Sequence, residues 1–131
     1  VDAAGADNKW HTAGGFTVWT SVGQTKSDAL AECIYQRAFV NMTEYSKLIT
    51  QGKNLGCYDQ KQKAFRTDRA DGDNDKETNF YVLKNTYCPA VLVECMFQDN
   101  KCDVEYLLSD IGKHEIIRSL LEGIMDYIEK N

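Results

Sequence analysis

The sequence holds one proline, two histidines and no CxxC pair, and no apolar run in it approaches the length needed to span a bilayer. Each shortage excludes something. Without a long apolar run there is no membrane insertion as a helix. The histidines, His11 and His114, stand in neither HxxxH nor HxH spacing, so the two do not assemble a zinc site between them. Five cysteines, an odd number, give neither a full disulfide framework nor a zinc ribbon. They read as buried free thiols, with Cys88, Cys95 and Cys102 on a strand and its flanks. Free thiols suit a protein made in the cytoplasm. Basic residues are also in deficit: 15 Lys and Arg are scattered among 20 acids, a net charge of -5. That leaves no basic footprint for nucleic acid. No signal peptide is visible, and the opening "VDAAGADNKWHTAGGF", with neither an initiator Met nor a helix start, reads as a cut edge.

What remains is the composition of one globular domain: 131 residues, 43% apolar and 27% charged. "GFTVWTS", Gly15 to Ser21, is β-branched and aromatic and predicts a strand. Thr25 followed by Asp28 forms a capping-box pattern, and Leu30, Ile34, Ala38, Met42, Tyr45 and Ile49 follow at helical spacing, predicting one long amphipathic helix ending near "TQGKN". Residues 52–77 are polar and read as a long loop with room for a short hairpin. "NFYVLKNT" predicts a second strand. Pro89 sits where a strand tolerates proline, at its first residue, and opens "PAVLVECMF", which reads as a strand buried on both faces. Asn100 and Asp103 cap a short helix through "DVEYLLSD". After Gly112 a last helix places Ile116, Ile117, Leu120, Leu121, Ile124, Tyr127 and Ile128 on one stripe. This order predicts an α/β layer sandwich, a mixed sheet flanked by helices.

Candidate sites are few. Asp71, Asp73 and Asp75 alternate like the start of a calcium loop, but Lys76 and Val82 occupy positions that an EF-hand gives to Gly and Glu, so a solvated acidic loop is expected. Trp10, in a glycine-bearing loop, reads as a partly buried anchor more readily than as a stacking platform for a ligand. Glu94 stands apart, a carboxylate near the carboxyl end of the most apolar strand, where open α/β sheets place their ligand crevice. It is either a general base or a structural charge paired with Arg66, Arg69 or a lysine. A cysteine hydrolase built on Cys95 is a poor reading, because Cys95 alternates to the opposite face from Glu94 and no histidine is placed to activate it.

"FYVLKNTYCPAVLVECMFQDN", followed by an acidic helix and "IIRSLLEGIMDYI", resembles the C-terminal half of the zinc-dependent N-acetylmuramoyl-L-alanine amidases. Val82, Leu83 and Lys84 match a Val-Leu-Arg segment with Lys for Arg. Pro89 to Glu94 match Pro-Ala-Val-Leu-Val-Glu without change, and Phe97 and Asn100 complete the motif, with Met96 where glycine is usual. The resemblance implies that residues 1–131 are the C-terminal part of a single amidase-like catalytic domain lacking the family's N-terminal strands. It implies hydrolysis of the amide between N-acetylmuramic acid and L-alanine of the peptidoglycan stem peptide, at the cell wall, whether in a host enzyme or a phage endolysin, with Glu94 catalytic. It implies zinc in the complete protein, held by His, Glu and His. "VDAA" resembles the continuation of the segment bearing the second of those histidines, so the ligands are expected upstream of Val1 and none among these residues. The alternative is a non-catalytic module binding muropeptide or a protein on an amidase frame without metal.

Overall fold

The β-branched and aromatic run after Gly15 forms strand β1, Phe16–Thr20, in the computed structural model, which describes residues 1–69 and 71–131. β1 is the middle of three strands. On one side it pairs in parallel with the short strand β2, Lys76–Glu77, matching Trp19 with Lys76 and Thr20 with Glu77. On the other it pairs antiparallel with β3, Leu92–Cys95, matching Thr17 with Glu94 and Trp19 with Leu92. The sheet is therefore mixed and flanked by helices, as expected. Burial is not as expected: β1 is nearly all buried, while β3, expected to be buried on both faces, is half-buried and outermost in this order.

Phe16 and Val18 point to the helical side of the sheet and are fully buried in the core. Thr17, Trp19 and Glu94 alternate to the other face. Gly15, at φ 122°, enters β1 in a conformation that side chains rarely adopt, and a Cβ there would meet the Ala64 carbonyl at 3.0 Å.

Helix α1, Lys26–Asn41, opens on the expected capping box: Ser27 N donates to Thr25 Oγ1 at 3.1 Å, and Thr25 N donates to Asp28 Oδ2. The apolar period runs on through Met42, Tyr45 and Ile49, all buried, but the helix does not. At Met42 (φ -86°, ψ 55°) the chain breaks and restarts as α2, Thr43–Asn54. Two helices replace the predicted one because their partners differ. α2 packs against α4, Lys101–Leu108, while α1 packs mainly on α5, Asp110–Lys130.

The polar loop after α2 contains no hairpin among its described residues; Ala70 lies outside them. It returns to the sheet twice, at an isolated bridge between Phe65 and Phe16 and at β2. "NFYVLKNT" is not a strand. Tyr81–Lys84 form the single helical turn α3, with Leu83 buried and Tyr81 and Val82 in solvent. That outward pair at i and i+1 fits a helical turn and breaks the two-residue alternation a half-buried strand requires.

Asn100 caps α4 as predicted, accepting from Cys102 N and Asp103 N. Asp103, fully buried, ties the layers together: it accepts from Tyr45 Oη at 2.6 Å, Tyr58 Oη at 2.5 Å, Gly15 N at 3.1 Å and Phe97 N at 3.0 Å. Burial nonetheless pushes its carboxyl above the usual range, against the lowering effect of these donors. α5 begins at Asp110, capped by Ser109, earlier than expected. Its predicted apolar stripe is split. Ile116 and Leu120 pack on the core, whereas Ile117, Leu121, Ile124 and Ile128 face solvent, Leu121 at 60% exposure. The closest approach to α1 is at a small residue, where a Cβ on Gly123 would lie 2.6 Å from Ile34 Cα; Ser119, one turn earlier, is fully buried.

Candidate functional site

Glu94 lies on the sheet face opposite α1. Its register partner is Thr17, and Trp19 is the diagonal neighbour on the same face. Across this diagonal Trp19 Nε1 donates to Glu94 Oε2 at 2.9 Å. The indole is itself fixed, with the Phe80 ring edge-on at 5.6 Å and the Lys76 ammonium 5.2 Å from the ring centroid. No ion pair among the described residues joins Glu94 to an arginine or a lysine. Arg66 lies over the Phe97 ring at 5.1 Å, and Arg69 donates to Asn74 and to the Gly72 carbonyl. The carboxylate thus has one oriented donor and keeps its remaining acceptor capacity. Such a group can take a proton from a molecule placed on that face. Cys95 is on the other face, packed against the core, and burial pushes its thiol up. That suits a packed thiol and not a nucleophile.

The chain's first residues run beside the end of β3. Asp2 N donates to the Met96 carbonyl at 2.9 Å and Gln98 N to the Asp2 carbonyl at 2.8 Å, a parallel bridge between Asp2 and Phe97. Asp99 anchors the next turn, accepting from Ala4 N and Gly5 N.

Neither histidine is hydrogen-bonded to Glu94 or Trp19 among the described residues. His11 Nε2 is 2.8 Å from Asp7 Oδ1 and 3.9 Å from Asp99 Oδ2, and His114 is exposed on α5. Among the described residues no group of three His, Cys, Asp or Glu side chains could hold a metal ion. The zinc that the resemblance implies does not fit the residues present. Trp10, expected as a partly buried anchor, is 57% exposed with the Lys101 ammonium 5.9 Å from its ring. It borders a cleft of about 320 Å³ with Gly5, Asn8, Gln98 and Asp99, which Glu94 does not line. The cysteines are all free; Cys33 and Cys102 are buried as expected, but Cys88 is exposed. No helix among the described residues is long and apolar enough to cross a membrane.

Two residues escaped the sequence reading. Trp19 was only a strand residue there, and its role depends on register with a strand 75 positions away. Asp75, in a loop expected to be solvated, is buried, with its carboxyl pushed up to about 7 by burial and by the neighbouring Asp73 and Asp28 carboxylates, against the opposing Thr20 hydrogen bond.

The site thus consists of a Glu-bearing β3 antiparallel to β1, followed by an Asn-capped helix. The family model described as N-acetylmuramoyl-L-alanine amidase matches residues 3–126. The chain belongs to that family. Solved structures share its fold. The CwlD amidase from Clostridioides difficile, in complex with the GerS lipoprotein, superposes with a TM-score of 0.63 at 18% identity, covering 100% of this chain and 52% of that one. An N-acetylmuramoyl-L-alanine amidase from Clostridium difficile 630 gives 0.65 at 19%, covering 96% and 54%. AmiC2 of Nostoc punctiforme, also an N-acetylmuramoyl-L-alanine amidase, gives 0.63 at 20%, covering 97% and 54%. The chain therefore spans about half the length of these neighbours. No curated protein matches it.

Proposed function

We propose that the chain is the C-terminal part of a peptidoglycan hydrolase that cleaves the amide between N-acetylmuramic acid and L-alanine, with Glu94 as its proton acceptor. The observation that carries this reading is the Glu94 carboxylate, oriented by Trp19 Nε1 on the sheet face away from α1, in a member of the amidase family. Amide hydrolysis requires a group that takes the proton of the attacking water and returns it to the leaving amine. Glu94 has the free acceptor capacity for both transfers. The zinc ligands expected in the complete protein would come from outside these residues. The test is digestion of purified peptidoglycan by a complete protein containing this chain. The reading requires new L-alanine amino groups to be released, and requires that release to fall away in Glu94→Gln.

The absence of a three-ligand group among the described residues favours a second reading, a non-catalytic module that binds muropeptide or a protein. Zinc analysis of the same complete protein separates the two. One tightly held zinc per chain supports the hydrolase; none, with muropeptide binding retained, supports the module.

A further inference from the structure

The acidic loop before β2 is partly interior. Asp75, 1% exposed, accepts from Thr20 Oγ1 at 2.5 Å through Oδ2, while its Oδ1 meets no donor among the described residues. Asp73 Oδ1 is likewise buried without a donor, and the two carboxyl groups face each other. Gln24 Nε2 reaches the outer oxygens, 3.4 Å from Asp73 Oδ2 and 3.3 Å from Asp71 Oδ2. None of the ion pairs among the described residues reaches these aspartates. The nearby cations are engaged elsewhere, Arg69 with Asn74 and Lys76 over Trp19. Two carboxylate oxygens turned toward each other out of water repel and lose their hydration, so a positive species belongs between them.

We propose that Asp73 and Asp75 hold a hard divalent cation, with calcium as the species to test first. The donors are all oxygen, which suits calcium or magnesium and not zinc. Two carboxylates with water completing the shell make a weak site, with a Kd of about 10⁻⁴ to 10⁻³ M, the range of extracellular modules. The ligand set owes nothing to EF-hand spacing; it arises because β2 folds back onto β1 and brings Asp75 under Thr20. A bound cation would hold that return in place. Lys76 follows Asp75 directly and lies over Trp19, the donor to Glu94, so occupancy would also steady the indole that orients this carboxylate. The site stands independently of the amidase reading.

The rival occupant is a proton shared by the pair, and the experiment separates them. The chain is melted at about pH 8 in millimolar calcium, in magnesium and in EDTA, and terbium emission excited through tryptophan is titrated and then competed with calcium. Calcium is expected to raise Tm and displace terbium. Asp75→Asn is expected to weaken terbium binding about tenfold or more. Asp73→Asn, at a half-buried position less prone to disturb folding, is expected to do the same. An identical Tm in all three solutions, or terbium binding unchanged in Asp73→Asn, overturns the proposal and leaves a carboxyl pair that shares a proton.

Discussion

Trp19 and Glu94 are joined across the sheet diagonal by a hydrogen bond of 2.9 Å, and the indole that makes it is in contact with both the Phe80 ring and the Lys76 ammonium. The donor is thus held in place by its own neighbours. In a complete protein, Trp19→Phe keeps an aromatic ring beside Phe80 but removes the donor. One charge-assisted hydrogen bond contributes about 1.5 to 3 kcal/mol. The expected outcome is a kcat reduced about tenfold or more with KM little changed. An unaltered kcat would show that Glu94 needs no such orientation.

Glu94→Gln in the same protein should keep the fold, because glutamine still accepts from Trp19 through its carbonyl oxygen. Turnover on peptidoglycan should fall about 10² to 10⁴-fold, the usual worth of a general base. Cys95→Ser, on the other face, should change the rate little. Turnover within a few-fold of the parent for Glu94→Gln would make the carboxylate structural.

Arg37 of α1 forks onto α5, donating through Nε to Asp126 Oδ2 at 2.6 Å and through Nη1 to Glu122 Oε2 at 3.1 Å. The Arg37 hydrogen bond holds the Asp126 carboxyl below its ordinary 3.8. Hydrogen bonds from Arg118 and Asn41, with the Arg37 charge, hold Glu122 below 4.5. Carboxyls lowered by folding contribute stability above their ordinary values and lose it as pH falls through the lowered ones. Melting followed from pH 7 into acid should show a loss beginning below about pH 4.5. In Arg37→Met that part of the acid slope should flatten.

These local elements were legible in the sequence because their signals are local. The Thr25 to Asp28 capping box, the Asn100 cap and the β-branched run of β1 each declare themselves within a few residues. What was not legible depends on pairing at a distance. The apolar period across Met42 continues through the break, since both helices face one core, and only their different partners reveal the turn. Phe80, Tyr81 and Val82 have strand-forming side chains, yet the segment coils into one turn with Phe80 set against Trp19. At the site, Glu94 stood out because a charge ends an apolar run. Trp19 and Asp75 did not, because register with distant strands makes their surroundings.

Gly123→Ala should destabilise the chain by about 1 to 3 kcal/mol, the range for overpacking. The new Cβ would lie 2.6 Å from Ile34 Cα, a backbone atom that cannot swing aside. A fall in the urea midpoint at unchanged m-value would check this. Ile124→Ala, one residue on and exposed, should cost much less.

Asp103→Ala should be among the most damaging single changes, because it strands two tyrosine hydroxyls and the amides of Gly15 and Phe97. Each buried group left without a partner costs about 1 to 3 kcal/mol. Loss of the cooperative urea transition would be the measured sign.

The outward row of Ile117, Leu121, Ile124 and Ile128 ties the colloidal behaviour of the chain to its titration. At neutral pH a net charge of -5 sets like molecules against one another. Near the isoelectric point of about 5.0 that long-range repulsion vanishes while the short-range stickiness of four aliphatic side chains does not. Turbidity should therefore peak around that pH, and raising the salt at pH 7 should mimic it by shortening the reach of the charges. A single Leu121→Glu change, which costs the core nothing, should restore clear solutions in both conditions.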